Sequence, residues 1–406
     1  MPRMIIFDDG RGQFGPMTDL RASFELRTGM LTTAGRLKQG RPKQLAGYWV
    51  PSHLRAVVAE RADAPVNALS EDDETVLCVN GRWSLPEDDL TPEVGHGLIE
   101  PETGDVIIAH LRRADAEFFL TSGDLPERAQ VKDYDERVLF RYPWDIIGLA
   151  WRTIPHDIIQ TRMLEAGVPE SNIDTMGEHP IEIHDSARIA PHVVLDASQG
   201  PIVVQERAVI RPGAVLCGPC SVGRDSTVID RAHIKANTAI GPHCKVGGEV
   251  GATIFQGYSN KAHDGHLGDS WVGKWVNFGA GTTNSNLLNT YGEVAMRLEP
   301  DGPRRRSGLN FLGTIAGDHA KFAIGTRIMT GTVIGTGAMI ATSVPPPTTV
   351  KRFAWLTDDG ERVYRYDKFV EVVRAVMERR RKTPSEASLT LLREVYDRFT
   401  GGEVTK

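Results

Sequence analysis

The chain has 406 residues and a net charge of −6, with lysine and arginine interspersed among aspartate and glutamate. It is too long for a single core, so we expect two or three domains. The absence of a concentrated basic field argues against a nucleic-acid partner. Four cysteines are too few for a disulfide scaffold, and the first residues show no apolar stretch of signal-peptide length. These features predict a reducing, cytoplasmic setting with no membrane association.

The N-terminal part of the chain is predicted to form a mixed α/β domain. Short apolar runs at 4–7, 75–79 and 106–109 alternate with segments of helical character, as in strands and helices packed in layers. The glycines at positions 10, 12 and 15 fit a dinucleotide-binding G-x-G-x-x-G pattern. No helix-like segment or ribose-binding acid follows at the expected distance, which argues against this alternative.

An aliphatic residue recurs at every sixth position through the middle of the chain. Neither a helix nor a flat strand keeps this spacing, so the backbone must turn a corner at fixed intervals, which predicts a solenoid. Cys217 and Cys220 form a C-x-x-C pattern between two of these positions, and we interpret them as small solenoid residues rather than a zinc or redox pair. The inward positions are Ile183, Ile189, Val204, Ile210, Leu216, Val222, Val228, Ile234, Ile240, Val246, Phe322, Ile328, Ile334 and Ile340.

The last part of the solenoid and the tail follow. The uncharged run 328–350 is long enough to span a bilayer, but it keeps the six-residue period and is predicted to end the solenoid. Two amphipathic segments come next, at 366–381 and 384–399, with Ser385 as a candidate N-cap of the second. The predicted domains are therefore 1–175, 176–350 and 351–406.

The six-residue repeat resembles that of the hexapeptide-repeat acyltransferases, which implies a left-handed parallel β-helix. Within it, the segments 261–269 and 276–286 resemble the acetyltransferase half of the bifunctional glucosamine-1-phosphate acetyltransferase/N-acetylglucosamine-1-phosphate uridyltransferase family. That family has a histidine shortly before Leu-Gly-Asp, then Asn-(Val/Ile)-Gly-Ala-Gly-Thr, then a further asparagine. The resemblance implies acetylation of an amino-sugar 1-phosphate by acetyl-coenzyme A.

The same resemblance assigns roles to residues of this segment. His263 is implied as the base that removes the amine proton, although His266 stands where the family has tyrosine, so the base is left open between the two. Asn277 and Asn286 are implied to orient the amine and the imidazole, and a backbone N–H near Ala280 to stabilise the oxyanion. Candidates for substrate contacts are Lys235, Lys245 and Lys261 for the sugar phosphate, Glu249 for the sugar hydroxyls, and Arg304, Arg305 and Arg306 for coenzyme A phosphates.

The N-terminal part resembles an alternate bacterial branch of the same bifunctional family, through the segments 7–9, 14–18, 25–29, 79–82 and 142–145. This implies uridylyl transfer from UTP, with Arg21, Arg27 and Arg82 near the triphosphate and Asp8 or Asp9 near Mg²⁺. The main branch's Gly-Thr-Arg-Met loop is absent, and Asn80 stands where a metal-binding aspartate is expected. An active domain and a degenerate one are both consistent with the sequence.

The sequence therefore predicts a homotrimeric, bifunctional enzyme that makes N-acetylglucosamine 1-phosphate and then UDP-N-acetylglucosamine, using acetyl-coenzyme A, UTP and Mg²⁺. One alternative is an acetyltransferase with a degenerate N-terminal domain. Another is a non-catalytic sugar-nucleotide-binding or assembly protein. A third is a metal-dependent hydratase like the β-helical carbonic anhydrases, with candidate ligands His233, His243, His263 and His319.

Overall fold

The computed structural model describes residues 2–161 and 173–401. By its internal contacts the chain divides into two compact units. The first unit comprises Met1–Gln13, Leu20–Leu26 and Leu31–Tyr142. The second comprises Phe14–Asp19, Arg27–Met30 and Pro143–Lys406. Two short N-terminal segments thus belong with the C-terminal part of the chain.

The first unit is a mixed six-stranded sheet with three α-helices. The strands are β1 Arg3–Phe7, β2 Leu45–Trp49, β3 Thr75–Asn80, β4 His96–Ile99, β5 Val106–Arg112 and β6 Gln130–Asp133. Strand β1 pairs in parallel with β2 and β3, while β5 runs antiparallel to β3 and β4, giving the order β2-β1-β3-β5-β4-β6. The helices are α1 Thr33–Gly40, α2 Arg55–Ala59 and α3 Arg113–Ser122.

The three central strands are apolar along their length because the sheet is covered. Ile5 and Phe7 of β1 and Val76 and Cys78 of β3 belong to one buried cluster, against which Phe119 of α3 packs. Since β1, β2 and β3 are parallel, their carboxyl ends lie along one edge of the sheet. Polar residues that follow these strands are therefore brought together at that edge, where open α/β sheets commonly bind ligands.

The main segment of the second unit begins with helix α4, Pro143–Thr161, and continues as a parallel β-helix with three faces. The first face consists of Ile173–Met176, Val193–Asp196, Val215–Cys217, His233–Ile234, Glu249–Gly251 and His266–Gly268, and is followed by the pair Thr283–Asn284 and Arg327–Ile328. The second face consists of Ile181–Ile183, Ile202–Val204, Cys220–Val222, Thr238–Ile240, Ile254–Phe255, Trp271–Val272, Thr314–Ala316, Thr332–Ile334 and Thr349–Val350. The third face consists of Arg188–Ile189, Val209–Ile210, Thr227–Val228, Lys245–Val246, Asn260–Lys261, Asn277–Phe278, Lys321–Phe322, Met339–Ala341, Ala354–Thr357 and Gly360–Val363.

The inward side chains of the three faces form one continuous core. Every position of the period from Val204 to Val246 is at most 2% exposed. Parallel pairing stacks each side chain on its counterpart in the next coil, as Leu216 lies opposite Ile234. The run 328–350 lies in the coils near the end of this core, and the predicted solenoid is confirmed. The strand Ala354–Thr357 pairs in parallel with Met339–Ala341 and adds Leu356 to the core, so the solenoid extends beyond the predicted end at residue 350. Among the described residues, no helix has the length and apolar character needed to cross a bilayer.

At the corners between the second and third faces, the backbone adopts the left-handed conformation. His243, Tyr258 and Trp275 all have φ between 58° and 63° there. Their rings stack along the solenoid, with centroids 4.6 Å apart for His243 and Tyr258 and 4.5 Å apart for Tyr258 and Trp275. Contacts between successive coils thus offset the strain of positive φ at residues with side chains.

The two N-terminal segments of the second unit bind to the second face and the end of the solenoid. The indole of Trp271 donates to the carbonyl of Arg27 over 3.1 Å, and Thr153 of α4 donates to the carbonyl of Thr28 over 2.7 Å. Asp19 accepts two hydrogen bonds from Arg352, at 2.8 and 2.9 Å. Residues near the start of the chain therefore complete the packing of its C-terminal part.

An inserted hairpin and a helical tail complete the second unit. The hairpin pairs Ala295–Arg297 with Arg304–Arg306. In the tail, the helices are α5, Tyr366–Glu378, and α6, Glu386–Thr400. Ser385 is the N-cap of α6 and accepts from the backbone N–H of Ser388 over 3.2 Å. The predicted fold class, a mixed α/β domain followed by a β-helix and C-terminal helices, is confirmed.

Two candidate active sites

The first candidate site lies at the carboxyl end of β1. Asp8 is half-buried, and its two carboxyl oxygens accept backbone N–H groups from Gly10 over 3.0 Å and Ser23 over 2.7 Å. Burial raises the pKa of this carboxyl, and the neighbouring Asp9 adds to the effect. The backbone thus holds an acidic side chain at the edge of the sheet.

Asp9 belongs to a chain of paired charges. Arg82 reaches it through two hydrogen bonds, Nε to Oδ1 at 2.9 Å and Nη2 to Oδ2 at 2.5 Å, and Asn80 donates to it at 2.9 Å. Burial by itself would raise the pKa of Asp9, but Arg82 outweighs it and holds that pKa below its usual range. Arg82 also binds Asp105 over 2.6 Å, and Arg11 binds the other oxygen of Asp105 over 3.0 Å.

A cavity of about 470 Å³ opens beside these carboxylates. Asp8, Asp9 and Arg11 form its polar side, while Trp49 and Phe119 contribute aromatic surface. An apolar pocket with a few convergent polar groups is the usual form of a small-molecule site. The arrangement can hold a ligand that combines a flat, uncharged ring with charged groups.

The three arginines that the sequence predicts near the triphosphate have different surroundings. Arg82 is 1% exposed, and its guanidinium is occupied by Asp9, Asp105 and the carbonyl of Phe140. Arg21 is also 1% exposed. Arg27 belongs to the second unit, where its guanidinium donates to the carbonyl of Met30. The structure therefore brings Asp8, Asp9 and Arg82 together in the first unit and assigns Arg27 to the second.

Asp105 and Arg11 were missed by the sequence analysis. Asp105 reaches Arg82 and Arg11 because β3 and β5 pair across the sheet, and no local pattern predicts that pairing. Their ion pairs join Asp9, Arg82, Asp105 and Arg11 into one network at this edge of the sheet, which we call the acidic edge.

The second candidate site lies on the first face of the solenoid. Three side chains, which we call the charged row, lie together there: Glu249, and Lys235 and His266, which both contact it. Lys235 pairs with Oε1 of Glu249, and Nδ1 of His266 lies 3.4 Å from the same oxygen. Lys235 lowers the pKa of Glu249 through their hydrogen bond, so this carboxylate stays ionised beside the imidazole.

Two glycines beside the charged row allow neighbouring side chains to approach the backbone closely. Gly251 and Gly268 are register partners on neighbouring coils. A β-carbon at Gly268 would lie 2.6 Å from Nε2 of His266 and 2.7 Å from Nδ2 of Asn286. The amide of Asn286 in turn donates to Asp269 over 2.6 Å. The absence of a side chain at Gly268 thus allows the imidazole and the Asn286 amide to approach each other.

His263 and Ala280 lie at the adjoining corner, between the third and first faces. The His263 side chain is exposed and has no hydrogen-bond partner among the residues that the structure describes. Ala280 is exposed on the next coil, and its carbonyl accepts from Gly325 over 2.7 Å. The structure thus places the two candidate imidazoles on one short segment with different surroundings.

The other predicted residues of the acetyltransferase segment are more scattered. Asn277 lies on the third face, in register with Asn260 and Lys321, and Lys245 lies on the same face. Lys261 points into the core and is 2% exposed. Of the three candidate phosphate-binding lysines, only Lys235 lies on the face that carries His266 and Glu249.

The arginines predicted to contact coenzyme A lie on the exposed strand of the inserted hairpin. Arg306 pairs with Glu293, while Arg304 lies opposite Arg297 across the hairpin. Like charges directly opposite each other on paired strands destabilise a hairpin. An anion bound between the two guanidinium groups would relieve this repulsion. Arg297 was missed by the sequence analysis because the pairing that brings it to Arg304 spans a loop.

Comparison with known proteins decides the class of the N-terminal half. Residues 4–162 match the family model described as sugar nucleotidyl transferase. The N-terminal half is a sugar nucleotidyltransferase domain. The acidic edge and its cavity belong to this domain, and the predicted resemblance is confirmed for it.

Curated relatives of the chain are described as bifunctional. The chain is 26% identical over 233 residues to the bifunctional protein GlmU of Nostoc sp., covering 50% of this chain and 49% of the relative. It is 31% identical over 144 residues to the bifunctional sugar-1-phosphate nucleotidylyltransferase/acetyltransferase of Sulfurisphaera tokodaii, covering 35% of each. The chain thus spans about half the length of its curated relatives or less.

The structure also bears on two alternatives considered from the sequence, a dinucleotide-binding glycine pattern and a metal-dependent hydratase. After the glycines at 10, 12 and 15 of the sugar nucleotidyltransferase domain, residues Gly15–Thr18 form a single 3-10 turn, and the next α-helix begins only at Thr33. Of the four histidines considered for a metal-dependent hydratase, His233 lies on the first face, while His243 and His319 lie at the aromatic corners. Within the described ranges, no group of three or more histidine, cysteine or acidic residues could hold a metal ion.

Proposed function

We propose that the chain catalyses two transfers: acetylation of an amino-sugar 1-phosphate, glucosamine 1-phosphate, by acetyl-coenzyme A, and uridylyl transfer from UTP to give UDP-N-acetylglucosamine. The observation that carries the proposal is the contact of His266 with an ionised Glu249 on the solenoid. This contact lies in the segment that resembles an acetyltransferase, in a chain that also carries a sugar nucleotidyltransferase domain.

In the acetyl transfer, the amine of the acceptor must be neutral when it attacks the thioester. Oε1 of Glu249 lies 3.4 Å from Nδ1 of His266, so the carboxylate favours the tautomer with the proton on Nδ1, which leaves Nε2 with a lone pair beside Gly268. This nitrogen takes a proton from the amine as the new C–N bond forms. The coenzyme A thiolate then leaves as the tetrahedral oxyanion collapses, and a backbone N–H near Ala280 is the proposed oxyanion donor.

The resemblance favours His263 as the base, whereas the geometry supports His266. The imidazole of His266 is 29% exposed and is oriented by a carboxylate, a condition that a general base commonly meets. His263 lacks such a partner within the described part of the chain. We therefore propose His266 as the base and keep His263 as the alternative.

In the nucleotidyl transfer, the cavity beside Asp8 accepts the nucleotide, and the sugar phosphate attacks the α-phosphorus as pyrophosphate leaves. Asp8 and Asp9 would hold Mg²⁺, because carboxylate oxygens at the edge of a cavity are the ligands that this ion prefers. The bound ion would neutralise charge on the triphosphate. Arg82 keeps Asp9 ionised, and Arg11 is placed to meet a phosphate.

The remaining substrate contacts and the assembly are also proposals. Arg304 and Arg305 are exposed and would pair with phosphates of coenzyme A. A homotrimer is implied by the resemblance, and it is supported by Ile324, which is 79% exposed at the corner packed against Gly279, beside Ala280. Light scattering at assay concentration would test it, and a monomer would contradict it. A cytoplasmic setting stays a prediction.

A two-part assay tests the proposed function. The purified chain is incubated with acetyl-coenzyme A and a panel of amino-sugar phosphates, and separately with each nucleoside triphosphate, Mg²⁺ and N-acetylated sugar phosphates. We expect thiol release with glucosamine 1-phosphate and pyrophosphate release with UTP. Thiol release alone would support the acetyltransferase with a degenerate N-terminal domain. The absence of both reactions would favour the non-catalytic alternative.

A further inference from the structure

Lys261 occupies an unusual position in the solenoid core. It is the register partner of Val246 on the third face, and both side chains point inward. Lys261 is only 2% exposed, although the column otherwise carries apolar residues such as Val228 and Phe278. A buried ammonium group is costly unless its hydrogen bonds are satisfied, so the position requires an explanation.

The amine of Lys261 is satisfied by two backbone carbonyls. Nζ donates to the carbonyl of Gly247 over 3.1 Å and to the carbonyl of His263 over 2.5 Å. Burial lowers the pKa of this lysine to about 8. A neutral amine still has two N–H groups, so both contacts persist on either side of that pH. We call these two hydrogen bonds the clamp, and because they persist in both protonation states they do not act as a pH switch.

The two carbonyls belong to corners of successive coils, and the backbones of these corners are in close contact. A β-carbon at Gly248 would lie 2.8 Å from the carbonyl oxygen of Gly265, 2.9 Å from that of His263 and 3.0 Å from Nζ of Lys261. On the following coil, a β-carbon at Gly265 would lie 2.2 Å from the carbonyl oxygen of Thr282. The segment 262–265 is thus packed between two corners, and Lys261 bonds it from inside.

We propose that Lys261 is a positioning residue for acetyl transfer. It fixes the backbone of the segment from which both candidate imidazoles project, His263 directly and His266 at the start of the next strand. The proposal rests on the acetyltransferase function proposed above. Small displacements of a base can cost up to about 100-fold in rate, so the clamp is expected to act on kcat rather than on acceptor binding.

The first test replaces Lys261 by methionine, which keeps the length and apolar stem but removes the donors. We expect kcat for acetyl transfer to fall about 10- to 100-fold, with KM for the acceptor and the nucleotidyl transfer unchanged. The apparent pKa of the pH–rate profile should persist, because His266 and Glu249 are not altered. Val246→Ala, which weakens the same column without touching either carbonyl, is the control for lost stability.

A second pair of variants addresses the same segment without altering Lys261. Gly248→Ala brings a methyl group against the carbonyls of His263 and Gly265, and should lower kcat as Lys261→Met does. Gly308→Ala is the matched control, because Gly308 has φ +76° against +72° for Gly248 but has no atom within 4 Å of its β-carbon position. This pair decides the question if Lys261→Met does not fold.

Three results would overturn the proposed role of Lys261. The first is full activity in Lys261→Met, and the second is a loss of kcat that follows the melting temperature equally in Lys261→Met and Val246→Ala. The third is equal rates in Gly248→Ala and Gly308→Ala. Hydrogen–deuterium exchange of the segment 262–268 provides a readout that needs no activity, and we expect it to rise in Lys261→Met. Raised exchange in a chain whose wild type acetylates nothing would support the clamp and contradict the proposed function.

Discussion

The two candidate sites hold their charges in different ways. In the sugar nucleotidyltransferase domain, Arg82 is buried between Asp9 and Asp105 with its side chain 0% exposed. On the solenoid, Lys235 and Glu249 are 46% and 43% exposed. Charges at the first site maintain the structure of that site, because each removal leaves a buried partner unpaired. Charges on the solenoid are carried by a backbone repeat that does not depend on them, so their removal should affect chemistry more than folding.

The largest effect is expected from the imidazoles on the solenoid. His266→Gln should lower acetyl transfer by about 100- to 10,000-fold, the usual range for a positioned general base, and His263→Gln should lower it less. Neither variant should change the melting temperature much, because both side chains are at the surface. Steady-state rates and thermal melts of both variants check this. A greater loss in His263→Gln would move the base to His263, as the resemblance implies.

Removing Arg82 should instead destabilise its domain. Arg82→Ala leaves Asp9 and Asp105 buried without their shared cation, which typically costs about 3–5 kcal/mol. Urea unfolding followed by a probe in the first unit measures this cost, with Arg11→Ala as the control, since Arg11 is 46% exposed and pairs with Asp105 alone. Equal stability of the two variants would show that the buried network does not hold this site.

The buried lysine gives the solenoid a dependence on pH. The pKa of Lys261 falls from 10.5 to about 8 in the folded chain, so between these values the unfolded state binds more protons, and the free energy of unfolding rises with pH. At about 1.4 kcal/mol per pKa unit, the gain is up to about 3 kcal/mol, absent below pH 8 and complete above pH 10.5. The difference in unfolding free energy between wild type and Lys261→Met should therefore increase from pH 8 to pH 10. A constant difference would contradict it.

A smaller effect is expected where an N-terminal segment binds the end of the solenoid. Asp19→Asn weakens two charge-assisted hydrogen bonds from Arg352, which keeps Glu299 as a partner. Hydrogen bonds to charged groups contribute about 1.5–3 kcal/mol, so the second unit should lose stability in that range. Thermal unfolding with a probe in the solenoid checks this, and an unchanged melting temperature would show that the segment does not support it.

The repeat explains how much of the solenoid could be predicted from the sequence. A fixed period determines which side chains point inward, so Ile234 and Leu216 could be assigned without any knowledge of long-range pairing. The coils that follow Val246 leave this period: Glu249 and His266 are register partners at a separation that is not a multiple of six, so the repeat does not predict their contact. Lys261 is likewise out of step with its register partner Val246, so the period gives no indication that its side chain points inward.

The N-terminal half has no such period, and its site depends on contacts between distant residues. Asp8 and Asp9 could be selected because they follow an apolar run that forms β1. Asp105 could not, because its approach to Arg82 requires the antiparallel pairing of β3 with β5. Arg27 lies in the second unit although it is close in sequence to the acidic edge, an exchange of segments that local patterns do not indicate.

The central claim is that one chain carries two separate transfer sites, and one measurement tests it most directly. Both half-reactions are followed in parallel, as thiol release and pyrophosphate release, in wild type, Asp8→Asn and the double variant His263→Gln/His266→Gln. We predict that Asp8→Asn loses pyrophosphate release and keeps thiol release, and that the double variant does the reverse. Loss of both reactions in either folded variant, or of neither in both, would contradict the account.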